Sequence, residues 1–438
     1  MNPDNDLLTK AQTVLSQNDR SLFTVPASDL YPHQWLWDSC FIAIGLRHLD
    51  IERAQTELKS LLRGQWANGM LPHIIFWENV HRHEYYLWQS WLNPHAPSGL
   101  VTSGLTQPPM LAEAVLAVGQ KLKLPDRRSW YRQMYPSLVK YHKWLYKERD
   151  PSNTGLVALL HPYESGLDNS PPWINQVRTY AWPVWLHLVD KLGLDNIAKL
   201  VRRDTRHIPA GRRMSNAEGI AYWNIIRRLR RQGYDSRSIL TQPKLAVADL
   251  AFNCILIRAN TCLAEIAKPI GESLPEKLSE SNKLSHQALA SLRDDKTGQF
   301  FSRDLRSGEL IYEPSISSLL PLYSGAITAE EAEQLVKMLK LRRKFGANWP
   351  VPSVPINSSY FDPLLYWQGP TWANTNWLII EGLRRYGYND EADSLKIKTL
   401  QMVENSGLFE YFNPIDGRPA GAANFSWTAA LTIDLLKY

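Results

Sequence analysis

The sequence has few of the features that mark metal, nucleotide or serine-hydrolase chemistry. It holds three cysteines among 438 residues, and their spacing fits neither a zinc site nor a disulfide framework. A glycine-rich phosphate loop and a G-x-S-x-G elbow are absent from the sequence. His81 and His83 lack the HExxH spacing of a zinc pair. These absences favour chemistry that needs neither a metal nor a cofactor.

Long apolar runs are also missing. The first 20 residues contain no apolar signal core, and no stretch reads as a membrane span. We therefore expect a cytoplasmic protein without a membrane partner. The net charge is +6, but the densest basic run, residues 227–231, alternates with apolar residues as on the solvated face of a helix. Nucleic-acid binding is thus disfavoured, a small anionic ligand suits the charge, and an oligomer is possible.

Helical periodicity dominates the chain. Segments such as residues 39–66 carry apolar residues at helical spacing, and about a dozen helices follow from such patterns. The strongest strand signal is one hairpin over residues 298–314. Without a linker to divide it, residues 1–438 are predicted to form one domain. Paired helices joined by long loops predict an all-α fold, an α/α toroid of two rings of six helices. An α-solenoid is the alternative, but no fixed-period repeat supports it.

The long loops contain much of the proline, glycine and tryptophan. Seventeen tryptophans are more than a core needs, and indole rings suit a pocket lining, although a tryptophan-rich core is the competing interpretation. Long loops in a compact domain are usually functional. The most aromatic of them, within residues 76–108, is predicted to form a lid or cap.

Two carboxylates lie in the loop "HPYESGLDNSPPW", residues 161–173. Hydrolysis of a glycosidic bond needs a carboxylic acid that protonates the leaving oxygen and a second carboxylate that activates water or attacks. The acid must sit where desolvation keeps it protonated. Asp168, five residues before Trp173, suits this role, and Glu164 competes with it.

The partner carboxylate should come from another loop. "GLFEYFNPIDGRPAGAANFSW", residues 407–427, offers Glu410 between two aromatic residues and Asp416 in a turn. An Asp in a Pro-Ile-Asp-Gly sequence is a common turn former, so Glu410 is preferred. An aromatic-flanked surface glutamate is the simpler alternative.

Aromatic residues accompany polar ones in two further segments. "YPHQWLWDSC", residues 31–40, places tryptophans beside Asp38, as a sugar site would, although Asp38 could instead be a helix N-cap. "YWQGPTWANTNW", residues 366–377, repeats the theme.

The segments "YPHQWLWDSC", "ESGLDNSP", "YWQGPTWANTNWLII" and "NFSWTAA", spread over residues 31–430, are similar to motifs of glycoside hydrolase family 63. The sequence most resembles its branch of bacterial mannosylglycerate and glucosylglycerate hydrolases. This resemblance implies an (α/α)6 barrel and inversion at the anomeric carbon. It also implies that Asp168 is the general acid and Glu410 the general base.

The same resemblance implies two groups of substrate-binding residues. Those that line the sugar subsite would be Tyr31, Trp35, Trp37, Asp38, Phe76, Trp367, Gly369, Trp372 and Trp427. Those that hold the glycerate would be Gln107, Arg213 and Tyr222, with Tyr86 and Tyr366 as further candidates and Arg212 as a neighbour of the arginine. Pro172 and Gln368 stand where the family often has arginine, and the loop of residues 77–95 is unusually aromatic. These departures leave the aglycone open.

The sequence therefore predicts an inverting α-glycosidase that acts on a small glucosyl or mannosyl compound, with glycerate as the expected aglycone. Its two carboxyl groups should stand roughly 6.5–9.5 Å apart, leaving room for a water molecule. An α-glucosidase acting on a disaccharide or short oligosaccharide is an alternative. A non-catalytic sugar-binding toroid is an alternative of another class.

Overall fold

The computed structural model describes residues 3–77, 80, 82–183, 186 and 213–437. Its α-helices in chain order are α1 Pro3–Asn18, α2 Leu36–Leu46, α3 Ile51–Arg63, α4 Arg82–Trp88, α5 Leu111–Gln120, α6 Leu124–Arg149, α7 Pro171–Gln176, α8 Asn216–Arg231, α9 Ser236–Thr241, α10 Leu250–Ala267, α11 Glu276–Leu289, α12 Pro321–Ser324, α13 Ala329–Lys340, α14 Ala373–Arg385, α15 Asn389–Ser406 and α16 Ser426–Lys437. The strands are β1 Gln34–Trp35, β2 Ile74–Phe76, β3 Val101–Thr102, β4 Val247–Ala248, β5 Arg303–Asp304, β6 Phe409–Phe412 and β7 Pro419–Ala423.

Six of these helices form a closed inner ring. In order around it they are α2, α5, α10, α12, α14 and α16, and α16 packs back against α2. Of the outer helices, α3, α6, α11, α13 and α15 each pack on an inner helix that precedes them in the chain, and α1 packs on α16. The chain thus alternates between the outer and inner rings. This is the (α/α)6 barrel, so the predicted all-α toroid is confirmed, and a closed ring is not a solenoid.

Composition decides which ring a helix joins. Every residue of α2 is buried, because an inner helix is enclosed by its ring neighbours and its outer partner. The outer helix α3 is amphipathic, and the Asp50 side chain caps it by accepting from the Arg53 N–H. Within the described residues, the stretch Leu250–Ile270 is long and apolar enough to cross a bilayer. Most of it is buried inside the protein, which accounts for its apolar composition.

Short strand pairs order the loops between helices. β1, β2 and β3 form an antiparallel sheet, β4 pairs with β5, and β6 and β7 form a hairpin. The hairpin predicted over residues 298–314 is present as a single bridge between Arg303 and Leu310. The other strand pairs could not be predicted from the sequence, because strands of two to five residues show almost no alternation of apolar and polar residues.

The ring closes where the first and last described helices meet. The side-chain amide of Asn18 donates to Ser426 Oγ at 2.9 Å and to the Asn424 carbonyl at 2.8 Å. The side chains of Asn18 and Ser426 are buried. This contact fixes the β6–β7 hairpin and α16 against the start of the barrel.

Candidate active site

Glu410 lies on β6, and it is 1% exposed. Its Oε1 accepts from the Tyr31 hydroxyl at 2.8 Å, and its Oε2 accepts from the Ala422 N–H at 2.9 Å. Nη2 of Arg213 donates to Oε1 at 2.9 Å and to Oε2 at 2.7 Å. The carboxylate is therefore a buried, fully hydrogen-bonded group, and the interpretation of Glu410 as a surface residue is wrong.

Glycine is required opposite this carboxylate. Gly421 on β7 has a φ of +76°, and a Cβ added there would stand 2.6 Å from Glu410 Oε2. The hairpin can therefore bring the Ala422 N–H to Glu410 only because residue 421 has no side chain. Asp416, the competing choice, lies in the turn of this hairpin and bonds Arg418 at the surface. It is a turn former.

Asp168 lies between a 3-10 turn, Pro162–Ser165, and α7. Burial raises the pKa of its carboxyl to about 7; the charge of Glu410 acts in the same direction, while Arg213 opposes the rise. A carboxyl with this pKa is largely protonated at mildly acidic pH and can donate a proton near neutrality. The effect of the Glu410 charge on this pKa also places the two carboxyl groups in one electrostatic environment.

Glu164 has a different role from its neighbour in the loop. Both of its oxygens accept from the Arg149 guanidinium, at 2.6 and 2.9 Å, and Oε2 also accepts from the Leu160 N–H at 2.7 Å. Both side chains of the pair are buried. With its acceptor positions used in this way, Glu164 anchors the loop to α6.

The loop is held against two tryptophans. Gly166 has a φ of +69°, and a Cβ there would lie 2.6 Å from the Trp37 ring. Asn169 Oδ1 accepts from the Trp367 N–H at 2.9 Å, and the Tyr222 hydroxyl donates to the Asp168 carbonyl at 2.7 Å. These contacts fix the backbone on both sides of the Asp168 carboxyl.

Four indole rings form a continuous wall beside this loop. Trp367 and Trp372 stack at 3.7 Å between centroids with an interplanar angle of 6°. Trp427 meets Trp372 at 5.9 Å and Trp37 at 5.5 Å, and Trp37 meets Trp367 at 6.5 Å. Trp427 Nε1 is buried without a hydrogen-bond partner among the described residues. An apolar aromatic wall with an available N–H donor suits a sugar ring.

Asp38 is the third residue of α2, and Trp35 occupies the N-cap position. The N-cap interpretation of Asp38 is therefore wrong. The residue is 4% exposed, and burial raises the pKa of its carboxyl well above its ordinary value, helped by the charges of Glu410 and Asp168. It faces the same electrostatic environment as the two predicted catalytic carboxyls.

Arg213 lies between two tyrosine rings, 5.3 Å from the centroid of Tyr31 and 4.8 Å from that of Tyr366. Tyr366 has a φ of +40°, an uncommon conformation for a residue with a Cβ. Gln107 is buried, and its Oε1 accepts from the Trp37 N–H at 3.3 Å. The residues predicted to hold glycerate thus include one cation, which in this structure binds Glu410. Arg212 lies outside the described residues.

Other predicted residues take supporting or separate places. The Trp35 ring packs edge-on against Tyr31, and Phe76 on β2 packs against His33. Gly369 has a φ of +159°, and a Cβ there would stand 2.1 Å from the Asp362 carbonyl oxygen.

Tyr86 lies apart from the carboxyl cluster. It is 52% exposed on α4, where its ring meets Tyr85 and its carbonyl accepts from Arg230. His81 and the side chain of His83 lie outside the described residues. Pro172, one of the departures from the family pattern, starts α7 together with Pro171.

Several residues of the site carried no recognisable signal in the sequence. Asn169, Gly166 and Gly421 act through contacts with residues distant in the chain. His73 packs against Trp35 at 5.4 Å, and burial lowers its pKa to about 3, so the ring is neutral. Over the described ranges, no group of three or more His, Cys, Asp and Glu is arranged to hold a metal ion.

Comparison with known proteins identifies the family of this chain. Residues 31–428 match the family model described as the mannosylglycerate hydrolase MGH1-like glycoside hydrolase domain. The chain is 38% identical to the mannosylglycerate hydrolase of Thermus thermophilus, over 97% of this chain and 99% of that protein. It is 31% identical to the glucosylglycerate hydrolase of Mycolicibacterium hassiacum, over 98% and 97%.

A solved structure agrees with these sequence relatives. It is the crystal structure of the GH63 mannosylglycerate hydrolase from Thermus thermophilus in complex with Tris and D-glycerate. The TM-score is 0.87 at 38% identity, covering 98% of this chain and 99% of that one.

Proposed function

We propose, from the premise that the chain belongs to the MGH1-like glycoside hydrolases of family 63, that it hydrolyses an α-glycoside of D-glycerate. The products are the free sugar, glucose or mannose, and glycerate. One observation carries the proposal. A carboxyl whose pKa is raised to about 7 and a buried carboxylate share one site, and a buried arginine acts on both of them.

The chemistry follows from these groups. Asp168 gives its proton to the glycosidic oxygen while the bond from that oxygen to the anomeric carbon breaks. A water molecule attacks the anomeric carbon from the opposite face, and Glu410 takes the proton that this water loses. The configuration inverts, and the carboxyl groups finish with exchanged protonation states, which solvent resets. The expected carboxyl separation of roughly 6.5–9.5 Å stays a prediction.

The indole wall supports the sugar. Trp37, Trp367, Trp372 and Trp427 offer apolar faces to the C–H side of a hexose, and the unpartnered Trp427 N–H can donate to a hydroxyl. Asp38 lies on the same side of the barrel and can hydrogen-bond hydroxyl groups in its protonated form. Discrimination between glucose and mannose rests on one hydroxyl group, so both sugars belong in the test.

The aglycone is assigned by charge. A glycerate carboxylate needs a cation, and Arg213 is a buried arginine beside the acid that protonates the leaving group. Gln107 and Tyr222 lie on the same side as Trp37 and the Asp168 backbone. Relatives named for mannosylglycerate and glucosylglycerate hydrolysis support this assignment.

The remaining assignments are proposals of the same kind. We place the whole of residues 1–438 in one catalytic domain, with residues 76–108 as its cap. We also propose a cytoplasmic location, and the number of subunits is left open.

The proposal is tested by hydrolysis of purified substrates. Mannosylglycerate, glucosylglycerate, glucosylglycerol, trehalose and maltose are incubated with the protein, and the released anomer is followed by proton NMR. Turnover of a glycerate glycoside with the β-anomer appearing first is the expected result. Turnover of a disaccharide alone would overturn the glycerate assignment, and no turnover of any glycoside would favour a sugar-binding protein.

A further inference from the structure

The hydrogen bonds of Glu410 leave no position for the water molecule that it must activate. An ionised carboxylate has about four acceptor positions. Tyr31, Ala422 and the two contacts from Arg213 supply four hydrogen bonds, two to each oxygen. A base whose acceptor positions are all used cannot also accept a hydrogen bond from water. One donor must therefore withdraw before the reaction.

Two of the three donor groups are fixed in place. The Ala422 N–H belongs to β7, whose register is set by pairing with β6. The Tyr31 ring is held edge-on by Trp35 at 5.7 Å and by Phe425 at 5.9 Å. The Ala422 nitrogen and the Tyr31 oxygen therefore cannot move away from Glu410 without breaking the packing around them.

Arg213 is the donor that can move. Its guanidinium lies between the faces of Tyr31 and Tyr366, surfaces along which a flat cation can slide. Its Nε has no hydrogen-bond partner among the described residues. It also acts electrostatically on Asp168, so it lies near the side of the site from which the leaving group departs.

We propose that Arg213 is shared between the catalytic base and the carboxylate of the substrate, so that binding of the aglycone frees Glu410 to accept a proton from water. In the free enzyme the guanidinium of Arg213 donates hydrogen bonds to the carboxylate of Glu410. One nitrogen, Nη2, serves both oxygens of Glu410, so a glycerate carboxylate that enters draws the guanidinium away by binding two of its N–H groups in the bidentate geometry that arginine prefers. This inference rests on the proposed function and adds a specificity mechanism to it. A neutral aglycone does not attract Arg213, so the guanidinium stays hydrogen-bonded to Glu410.

The consequence differs from ordinary binding specificity. If Arg213 served only to bind glycerate, a neutral aglycone would raise KM and leave the chemical step intact. With a shared arginine, the neutral aglycone lowers kcat as well. The proposal therefore makes Arg213 a positioning residue whose effect appears in the rate of a step that does not involve the aglycone.

Glycosyl fluorides isolate that step. The α-fluoride of the preferred sugar needs Glu410 to activate water, but fluoride leaves without a proton from Asp168, and the aglycone site stays empty. Added D-glycerate should occupy that site and accelerate fluoride hydrolysis by the wild-type protein, by about tenfold or more, the order expected for releasing one charge-assisted hydrogen bond. Glycerol, which has the same shape without the charge, should not accelerate it.

The Arg213→Met variant provides the second measurement. It should hydrolyse the fluoride faster than the unstimulated wild type and should no longer respond to D-glycerate, while its kcat/KM for the glycerate glycoside falls. The control is Arg418→Met, which removes an arginine from the hairpin that carries Glu410. The Arg418 side chain is 69% exposed, and this variant should behave as wild type. The wild-type measurement with D-glycerate and glycerol needs no variant, so the proposal can be judged even if Arg213→Met misfolds.

The outcomes separate the two proposals. Lack of turnover of mannosylglycerate and glucosylglycerate, with the fluoride still hydrolysed, would overturn the proposed function. Turnover of a glycerate glycoside together with a fluoride rate that D-glycerate leaves unchanged or reduces would overturn the sharing of Arg213 alone. A slower fluoride reaction in folded Arg213→Met would also overturn it, because Arg213 would then assist the base.

Discussion

Glu164 and Arg149 form a buried ion pair beneath the loop that carries Asp168, with contacts of 2.6 and 2.9 Å. Arg149 is the last residue of α6, and it also donates to Ser236 Oγ and to the Ala158 carbonyl. Arg149 thus ties the segment between α6 and α7, and the first residue of α9, to the end of one outer helix. Because Glu164 lies four residues before Asp168, this ion pair links the stability of the barrel to the placement of the proposed proton donor.

Replacing Glu164 with Gln should destabilise the protein by about 3–5 kcal/mol, because Arg149 would keep a buried charge without a counterion. Denaturant unfolding measures the change. Glu333→Gln removes the exposed partner of Lys337 and should cost no more than about 1 kcal/mol. An equal cost for the two variants would contradict the anchoring role of Glu164.

The rate of the enzyme should fall at alkaline pH because Asp168 loses its proton. Burial raises the pKa of this carboxyl to about 7, so kcat/KM for a glycerate glycoside should decline above that pH by about tenfold per unit. Hydrolysis of the glycosyl fluoride needs no acid and should lack this decline. A common alkaline limb for both substrates would assign the titration to another group.

The Asp168→Asn variant should be inactive on glycosides and more stable than wild type near neutral pH. The folded-state pKa is raised to about 7 from 3.8. The carboxyl therefore stabilises the fold fully below pH 3.8, and this contribution is lost as the pH rises through 7. The Asp168→Asn variant does not lose this stability. Its free energy of unfolding should therefore exceed that of the wild type by an amount that grows to about 1–3 kcal/mol between pH 3.8 and 7. Thermal unfolding at several pH values checks it, and a constant difference would contradict the assignment.

Gly166→Ala should lower both stability and activity. The residue has a φ of +69°, and its new Cβ would lie 2.6 Å from Trp37, so the loop with Asp168 must shift. We expect a loss of about 1–3 kcal/mol and a clear fall in kcat. Gly271→Ala is the matched control, because its φ is +77° and nothing lies within 4 Å of the added atom. If the control loses as much activity as Gly166→Ala, the contact with Trp37 is not the cause.

The all-α toroid could be predicted from the sequence because apolar residues recur at helical spacing through most of the chain, in paired helices joined by long loops. Inner helices such as α2 are apolar on all sides, and outer ones such as α3 are amphipathic. The choice between Glu164 and Asp168 could not be made from their own segment. It depends on Arg149, which lies 15 residues from Glu164 and meets it only after α6 has packed.

Other contacts of the site could not be predicted because they join residues that are far apart in the sequence. Arg213 and Glu410 are 197 residues apart, and no local pattern shows that one will satisfy the other. Tyr86 was placed near glycerate by resemblance, but α4 holds it at the surface in this structure. A helix cap was the alternative for Asp38 because a cap needs only local spacing, and the burial of Asp38 beside two carboxyls is a property of the closed barrel.

Tyr31 and Glu410, separated by 379 residues, have a consequence for the order of folding. Local helix pairs can form early, because their contacts are short in sequence. The hydrogen bond between these two residues belongs to the last event, in which the ends of the ring meet and a loop of that length is closed at an entropic cost. A nascent chain can therefore build most of its helices while Glu410, the proposed catalytic base, is not yet in place. The appearance of activity during refolding should lag behind the recovery of helical circular dichroism. Activity requires the closed ring, whereas circular dichroism reports the individual helices.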